Sequence, residues 1–262
     1  MELPIKELLT GSNNKKELEN LLQQANLAFV SWNNLWTDFV DAPLQEEISE
    51  KLQGLNDINC YLDGGYRSAE RKRICFARFS EYTSSNRDSA PIKGLNIEGN
   101  FLFDRATKKD FIQAIKSLGV STNELGDLWI VRDRGAQILC KPETSLKLNG
   151  KKSLVRDVEI HYEALEISQL NLPNTRIPKR IKTVEASTRI DAIASAGFGI
   201  SRGKIVKLIK EEHLRLNWIP IKQSSRPVKK GDRIQLENKG ALKILEIQPT
   251  KKDRWRVELL RE

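Results

Sequence analysis

The stretch that most restricts the fold is STRIDAIASAGFGISRGKIVKLIKEE, residues 187–212. Two runs with helical spacing flank a corner that holds Gly197, Gly199 and Gly203. In the second run, at 100° per residue, Ile205, Val206, Leu208 and Ile209 fill one side, and Lys204, Lys207 and Lys210 fill the opposite side. The segment therefore predicts a short helix with an apolar half in a core and a cationic half outside it. Each buried aliphatic side chain is worth about 1.5–3 kcal/mol, so the helix is anchored and its lysine stripe is held in place. Thr188 is the expected N-cap of the first helix, Gly197 its expected end, and Ser201 the expected cap of the second.

Glycines followed by Gly203-Lys204 also invite a nucleotide reading, and the spacing rejects it. A P-loop places four residues between its glycines and a hydroxyl after the lysine. Here five residues separate Gly197 from Gly203, and Ile205 follows Lys204. A dinucleotide fingerprint needs two residues where Ile200, Ser201 and Arg202 stand. The free amides at the second helix's start, beside Ser201, would instead face the phosphates of a nucleic-acid backbone.

Charge supports a polyanionic partner. The net charge is +9 over 262 residues, but residues 1–175 hold 22 Lys/Arg against 25 Asp/Glu, and residues 176–262 hold 22 against 10. A basic C-terminal third behind a near-neutral body is the pattern of a nucleic-acid module. The chain shows no apolar run of membrane-spanning length. Its first twenty residues read as neither a secretory signal nor a transit peptide. Cys60, Cys75 and Cys140 are far apart, and with His161 and His213 they suggest neither a metal site nor a disulfide framework. No metal and no cofactor is expected, and the expected compartment is the cytoplasm, or the stroma for a plastid protein.

The fold class expected is α+β, in three parts. Residues 1–58 read as a helical N-terminal region, with Leu18, Leu21, Leu22, Ala25 and Phe29 on one face and a second helix near Pro43. Residues 59–170 read as a ferredoxin-like, RRM-like middle domain. RICFARF and KGLNIEGNFLF are its first strands, TKKDFIQAIKSLG a helix, LGDLWIVRDRGAQILC a hairpin, PETSLKLNGKKSLV a weak helix and RDVEIHYEALEI a strand. Residues 171–182 read as a basic linker and 183–262 as the basic module.

The module resembles the RNA-binding domain named after ribosomal protein S-four. Arg189-Ile190-Asp191, Ser201-Arg202, the three lysines, Leu214-Arg215-Leu216-Asn217 and Gly231-Asp232 follow that family's pattern in order. The resemblance implies a fold of two helices on a small sheet, and RNA-phosphate contacts by Arg189, Arg202, Lys204, Lys207 and Lys210. Ser201, Arg215, Asn217 and Trp218 complete the candidate RNA-binding set. Asn217-Trp218 stands where the family has an Asn-Gly turn, and Trp218 either stacks on a base or packs its hairpin. Asp191 is expected to cap a helix or pair with an arginine.

GGYRSAERKR, IEGNFLFD and LGDLWIVRDRGAQ extend the resemblance to the YlmH-like proteins and their cyanobacterial and plastid relatives, often called photosystem II S-four domain proteins. Arg71, Lys72 and Arg73 in the first of these are candidates for a secondary RNA contact, or a solvated charge run. The function implied is a non-enzymatic, monomeric clamp on structured RNA: ribosomal RNA, tRNA or the ribosome. The alternatives are an RNA-modifying enzyme or a photosystem II assembly or expression factor acting through RNA. No methyl-donor loop or synthetase signature is present, and Asp110 and Asp127 form no acid–base pair.

Overall fold

The computed structural model describes residues 2–12, 14–55, 57–78, 89–173, 177–236 and 239–262. The chain splits into two compact units, Met1–Asn174 and Thr175–Glu262. The architecture is mixed α+β with three antiparallel sheets. The centre of the expected linker at 174–176, the end of RICFARF at 79, and positions 237–238 lie outside the described residues.

The first unit begins with α1 (Ile5–Leu8), α2 (Lys15–Ser31), β1 (Leu35–Val40), α3 (Ala42–Leu52), β2 (Ile58–Asp63) and β3 (Lys72–Arg78). The sheet order is β1-β3-β2. This corrects the helical reading of residues 1–58. Helix α2 stops at Trp32, which takes a left-handed φ of 59°. After it, LWTDFV runs extended and pairs with β3. The domain boundary expected at 58/59 falls where β2 begins, because β3 needs a neighbour on each side. Five of its seven residues are buried. Leu18, Leu22, Ile48, Ile74 and Phe76 form the core beneath it.

Next come β4 (Lys93–Glu98), α4 (Lys108–Ser117), β5 (Leu125–Ile130), β6 (Gly135–Cys140), α5 (Pro142–Leu148), β7 (Lys152–Val155) and β8 (Val158–Leu165). The sheet order is β5-β6-β4-β8-β7. The strand expected over KGLNIEGNFLF ends at Glu98, and the helix expected over PETSLKLNGKKSLV ends at Leu148, where Asn149-Gly150 breaks it. The remaining SLV becomes an edge strand, β7, beside β8. RICFARF, expected here, belongs to the first sheet. A smaller apolar cluster around Phe39, Ile92, Leu139 and Leu170 contains residues from both sheets, so the two layers form one unit.

The second unit holds β9 (Lys179–Glu185), α6 (Ile190–Phe198), α7 (Arg202–Lys210), β10 (Leu214–Leu216), β11 (Ile219–Pro220), β12 (Arg233–Leu236), β13 (Gly240–Pro249) and β14 (Trp255–Arg261). Its sheet runs β11-β10-β12-β13-β14-β9. Strand β9 occupies the expected linker from Lys179 onward. The run RIKTVE alternates outward Arg180, Lys182 and Val184 with half-buried Ile181 and Thr183, and β14 pairs along all seven β9 residues. Ile190, Ile193, Ile205, Ile209, Leu242, Val257 and Leu259 fill the core between helices and sheet.

Candidate nucleic-acid interface

The corner from α6 to α7 is built by two glycines with different tasks. A Cβ at Gly197 would lie 2.3 Å from Leu242 Cδ1, so that position is glycine for close packing and stays helical. Gly199 ends α6 instead, with φ 67°, which corrects the expected end at Gly197. The Ser195 hydroxyl donates to the Ile200 carbonyl at 2.7 Å and closes the corner. Nothing within 4 Å would meet a Cβ at Gly203. Tight packing thus explains Gly197 and a left-handed φ explains Gly199, while no contact requires glycine at 203.

The N-cap of α6 is Arg189, one residue later than expected. Residues 188–190 lie against 226–228. Ile190 N donates to the Arg226 carbonyl at 2.8 Å, and Val228 N donates to the Thr188 carbonyl at 2.9 Å. This short ladder fixes the backbone from which the Arg189 side chain leaves. Asp191, 2% exposed, then receives two guanidinium groups. Arg189 donates through Nε at 3.2 Å and Nη2 at 2.9 Å. Arg202 donates through Nη2 at 3.1 Å, and its Nε lies 3.1 Å from the second carboxylate oxygen. Both arginine side chains remain about half exposed.

Burial pushes the Asp191 carboxyl up, but the hydrogen bonds and charges of Arg189 and Arg202 outweigh it and hold the group below the usual carboxylate range. The result is a net +1 cluster whose forks are pre-set on half-exposed side chains, a donor array that suits phosphate.

Ser201 is the positional N-cap of α7, is exposed, and makes no side-chain capping bond. Along α7, Ile205 and Ile209 are buried and Val206 and Leu208 half-buried, while Lys204, Lys207 and Lys210 are exposed. Lys207 sits 3.9 Å from Glu211, and no ion pair engages Lys204 or Lys210 among the described residues. At 1.5 Å per residue the stripe spans about 9 Å, starting two residues beyond Arg202. The structure thus brings Arg189, Ser201, Arg202 and the three lysines onto one corner and one helix.

The remaining candidates divide. Arg215 points to the exposed side of β10, between buried Leu214 and Leu216. Asn217 and Trp218 both have positive φ, 48° and 70°, and make the two-residue turn from β10 to β11. Asn217 holds the turn. Its side-chain amide donates to Asp232 at 2.9 Å and its carbonyl accepts from Arg233 N at 2.8 Å, so both ends are engaged inside the protein. Trp218 carries the Arg233 guanidinium 3.9 Å from its ring centroid, so one face of the indole is already covered. Sequence reading missed Arg233, because a cation–π pair across two strands leaves no local pattern.

Arg71 and Arg73, candidates for a secondary RNA contact, act in the structure as internal braces. Arg73 is buried and donates to the carbonyls of Thr37 at 2.7 Å and Pro91 at 2.6 Å. Arg71 donates to the carbonyls of Leu125, Phe39 and Thr122 and pairs with Asp41. Lys72 is half-buried in β3. Asp127 accepts from the Tyr66 hydroxyl at 2.6 Å and from the amides of Glu70 and Arg71, and Asp110 caps α4 through Thr107. Both carboxylates are thus structural. Burial pushes the Cys60 thiol to about 11 and the Cys140 thiol to about 12, so both are protonated at neutral pH.

Residues 13–80 match the family model described as YlmH, N-terminal, and residues 188–234 match the S4 domain. The chain thus holds one segment similar to the YlmH N-terminal domain and one similar to the S4 domain. Its similarity to the ribosome-associated protein quality control protein P2 of Bacillus subtilis (strain 168) is 26% identity over 227 residues, covering 86% of each chain. A solved structure titled cell division protein ylmH, from Streptococcus pneumoniae, aligns with 60% of this chain and 94% of its own, at 15% identity and TM-score 0.48. The S4 match begins at Thr188 and ends at Ile234, so it contains Asp191, both of its arginines and the whole of α7. Among the described residues, no helix is long and apolar enough to cross a membrane.

Proposed function

We propose that this chain is a non-enzymatic RNA-binding factor that grips folded RNA with Arg189, Arg202 and the outer face of α7. The observation that carries this reading is the buried Asp191 carboxylate, which orients two half-exposed arginines at the end of a lysine-striped helix. A carboxylate fixed in this way is a positioning group. It sets the forks before RNA arrives and so removes part of the ordering cost of binding. Phosphate contacts of this kind supply affinity, and the shape of the folded RNA supplies the choice of target.

The curated relative is ribosome-associated by its name. Carried to this chain, that association supports ribosomal RNA, tRNA or the ribosome as the target; we infer that the chain acts as a monomer in the cytoplasm, or in the stroma if it is a plastid protein. Any link to photosystem II then runs through RNA that serves photosystem expression. The first unit supports a non-catalytic reading through its carboxylates, since Asp110 and Asp127 are both committed to holding backbone.

Titration of the full chain against purified ribosomal RNA tests the proposal. Wild-type protein binds with a steep salt dependence. Arg189→Ala/Arg202→Ala binds at least about tenfold more weakly, a loss of 1.4 kcal/mol. Equal affinity in a folded double variant removes this corner from the RNA interface.

A further inference from the structure

A second cationic surface lies on the sheet of the C-terminal unit. Side chains alternate along β14: Val257 and Leu259 enter the core that α6 covers, so Arg256 and Glu258 belong to the opposite face. Strand register places Val184 of β9 and Gln248 of β13 on either side of Arg256. Beyond them, residues 250–254 join β13 to β14, with 251–253 between the bonded pair Thr250 and Arg254. Asp253 takes φ 50°, and Thr250 N donates to the Arg254 carbonyl at 2.7 Å, the geometry of a tight three-residue hairpin loop.

This hairpin borders a concavity of about 930 Å³, lined by Lys251, Lys252, Arg254 and Arg256 with Val184 and Pro249 among the apolar lining. No ion pair engages any of the four cations among the described residues. Of the neighbouring acids, Glu258 is paired with cations and Glu246, among the described residues, is bonded only to a neutral amide. Glu258 faces Arg180 at 3.4 Å and Lys182 at 3.8 Å, and Glu246 accepts from Gln248 at 2.9 Å. Asp253 lies in the loop itself. The concavity is therefore positive, and it sits on the sheet face turned away from α6.

We propose that this concavity is a second RNA-backbone site, so that the C-terminal unit holds two separate RNA segments, one on α7 and one here. The proposal rests on the α7 reading above for the first segment. Four exposed cations around a shallow opening suit phosphates, which require only charge and donors. An acidic peptide would need a deep apolar anchor for comparable affinity, and the apolar side chains here, Val184 and Pro249, are both exposed. Two modest sites on one rigid unit give joint binding far tighter than either alone when a folded RNA spans both.

A bridging assay with the full chain tests the idea. A short RNA duplex is immobilised and loaded with protein, and a second, fluorescent duplex is then added. Wild type retains the second duplex. The variant K251A/K252A/R254A/R256A still loads through α7 but retains at least tenfold less of it. The corresponding four-glutamine variant behaves alike, and melting curves confirm that both fold. K204A/K207A/K210A loads through the hairpin and also loses bridging. A concavity variant that bridges as well as wild type, or a wild type that never bridges, overturns the proposal. So does capture of polyglutamate by the concavity in place of the second duplex. If the concavity variant loses bridging while the α7 variant loads and bridges like wild type, the concavity stands as one RNA site, the other segment is held away from α7, and the α7 reading fails.

Discussion

Burying an ionised carboxylate costs several kcal/mol unless charged donors meet it, and Asp191 is met by two guanidinium groups that reach in from the surface. On the proposed reading, the arrangement makes the charge of Asp191 useful to binding even though its sign opposes RNA. Asp191→Asn raises the net charge by one unit and would strengthen binding if bulk charge alone mattered. The structure predicts the reverse. The amide can no longer accept from both forks, Arg189 and Arg202 regain rotamer freedom, and RNA affinity falls by several-fold in a filter-binding titration. An increase in affinity would show that the arginines need no positioning. The same group sets a pH dependence. Its folded pKa lies below the unfolded value of about 3.9, so its contribution to stability is present above that value and is lost as pH falls through the folded pKa. The melting-temperature gap between wild type and Asp191→Asn therefore closes on acidification below about pH 4. It stays constant between pH 5 and 7, where neither state of Asp191 titrates.

Helix α7 was legible from sequence because its information is local: a 3.6-residue period separates Ile205 and Ile209 from three lysines without knowledge of any other segment. Its two faces make opposite predictions. The triple variant K204A/K207A/K210A changes folding stability by no more than about 0.5 kcal/mol. If each lysine neutralises one phosphate, at about 0.9 per contact, its log-affinity against log-salt slope flattens by about 2.7. Ile205→Ala leaves the slope of the folded fraction unchanged and costs about 2–5 kcal/mol by opening a cavity. An unchanged slope in a folded triple variant would make the stripe ordinary solvated charge.

Strand β1 was not legible, because its identity depends on β3, more than thirty residues away, and on the stop that Trp32 imposes on α2. The bracing by Arg71 and Arg73 was not legible for a related reason. Sequence displays their charge but not the carbonyls of Leu125, Thr37 and Pro91 that receive their donors. Arg73→Ala is accordingly expected to lower the melting temperature and leave the RNA affinity of the folded protein unchanged. A selective loss of RNA binding would restore it to the interface.

At the scale of the molecule, charge and compactness divide the chain at nearly the same place: net −3 before residue 176 and +12 after it, with compact units meeting at 174/175. The second unit has its own core and both of its cationic surfaces. A fragment spanning 175–262 should therefore fold cooperatively and bind RNA within about tenfold of the full chain, or 1.4 kcal/mol. Sequence reading would have cut instead at 183, treating the preceding basic residues as linker. That cut removes four of the seven β9 residues, including Ile181, which packs against the core. It also leaves Glu258, Leu259, Leu260 and Arg261 of β14 without strand partners on that side, an open edge prone to pairing with other chains. The 183–262 fragment should melt at a lower temperature than 175–262 and associate on concentration, as read by calorimetry and light scattering. Its α7 stripe is intact, so whatever fraction folds should bind RNA with the slope lost from the lysine variant. Equal melting temperatures for the two fragments would mean that β9 is a tether laid along the sheet and contributes nothing to the fold of the RNA-binding unit.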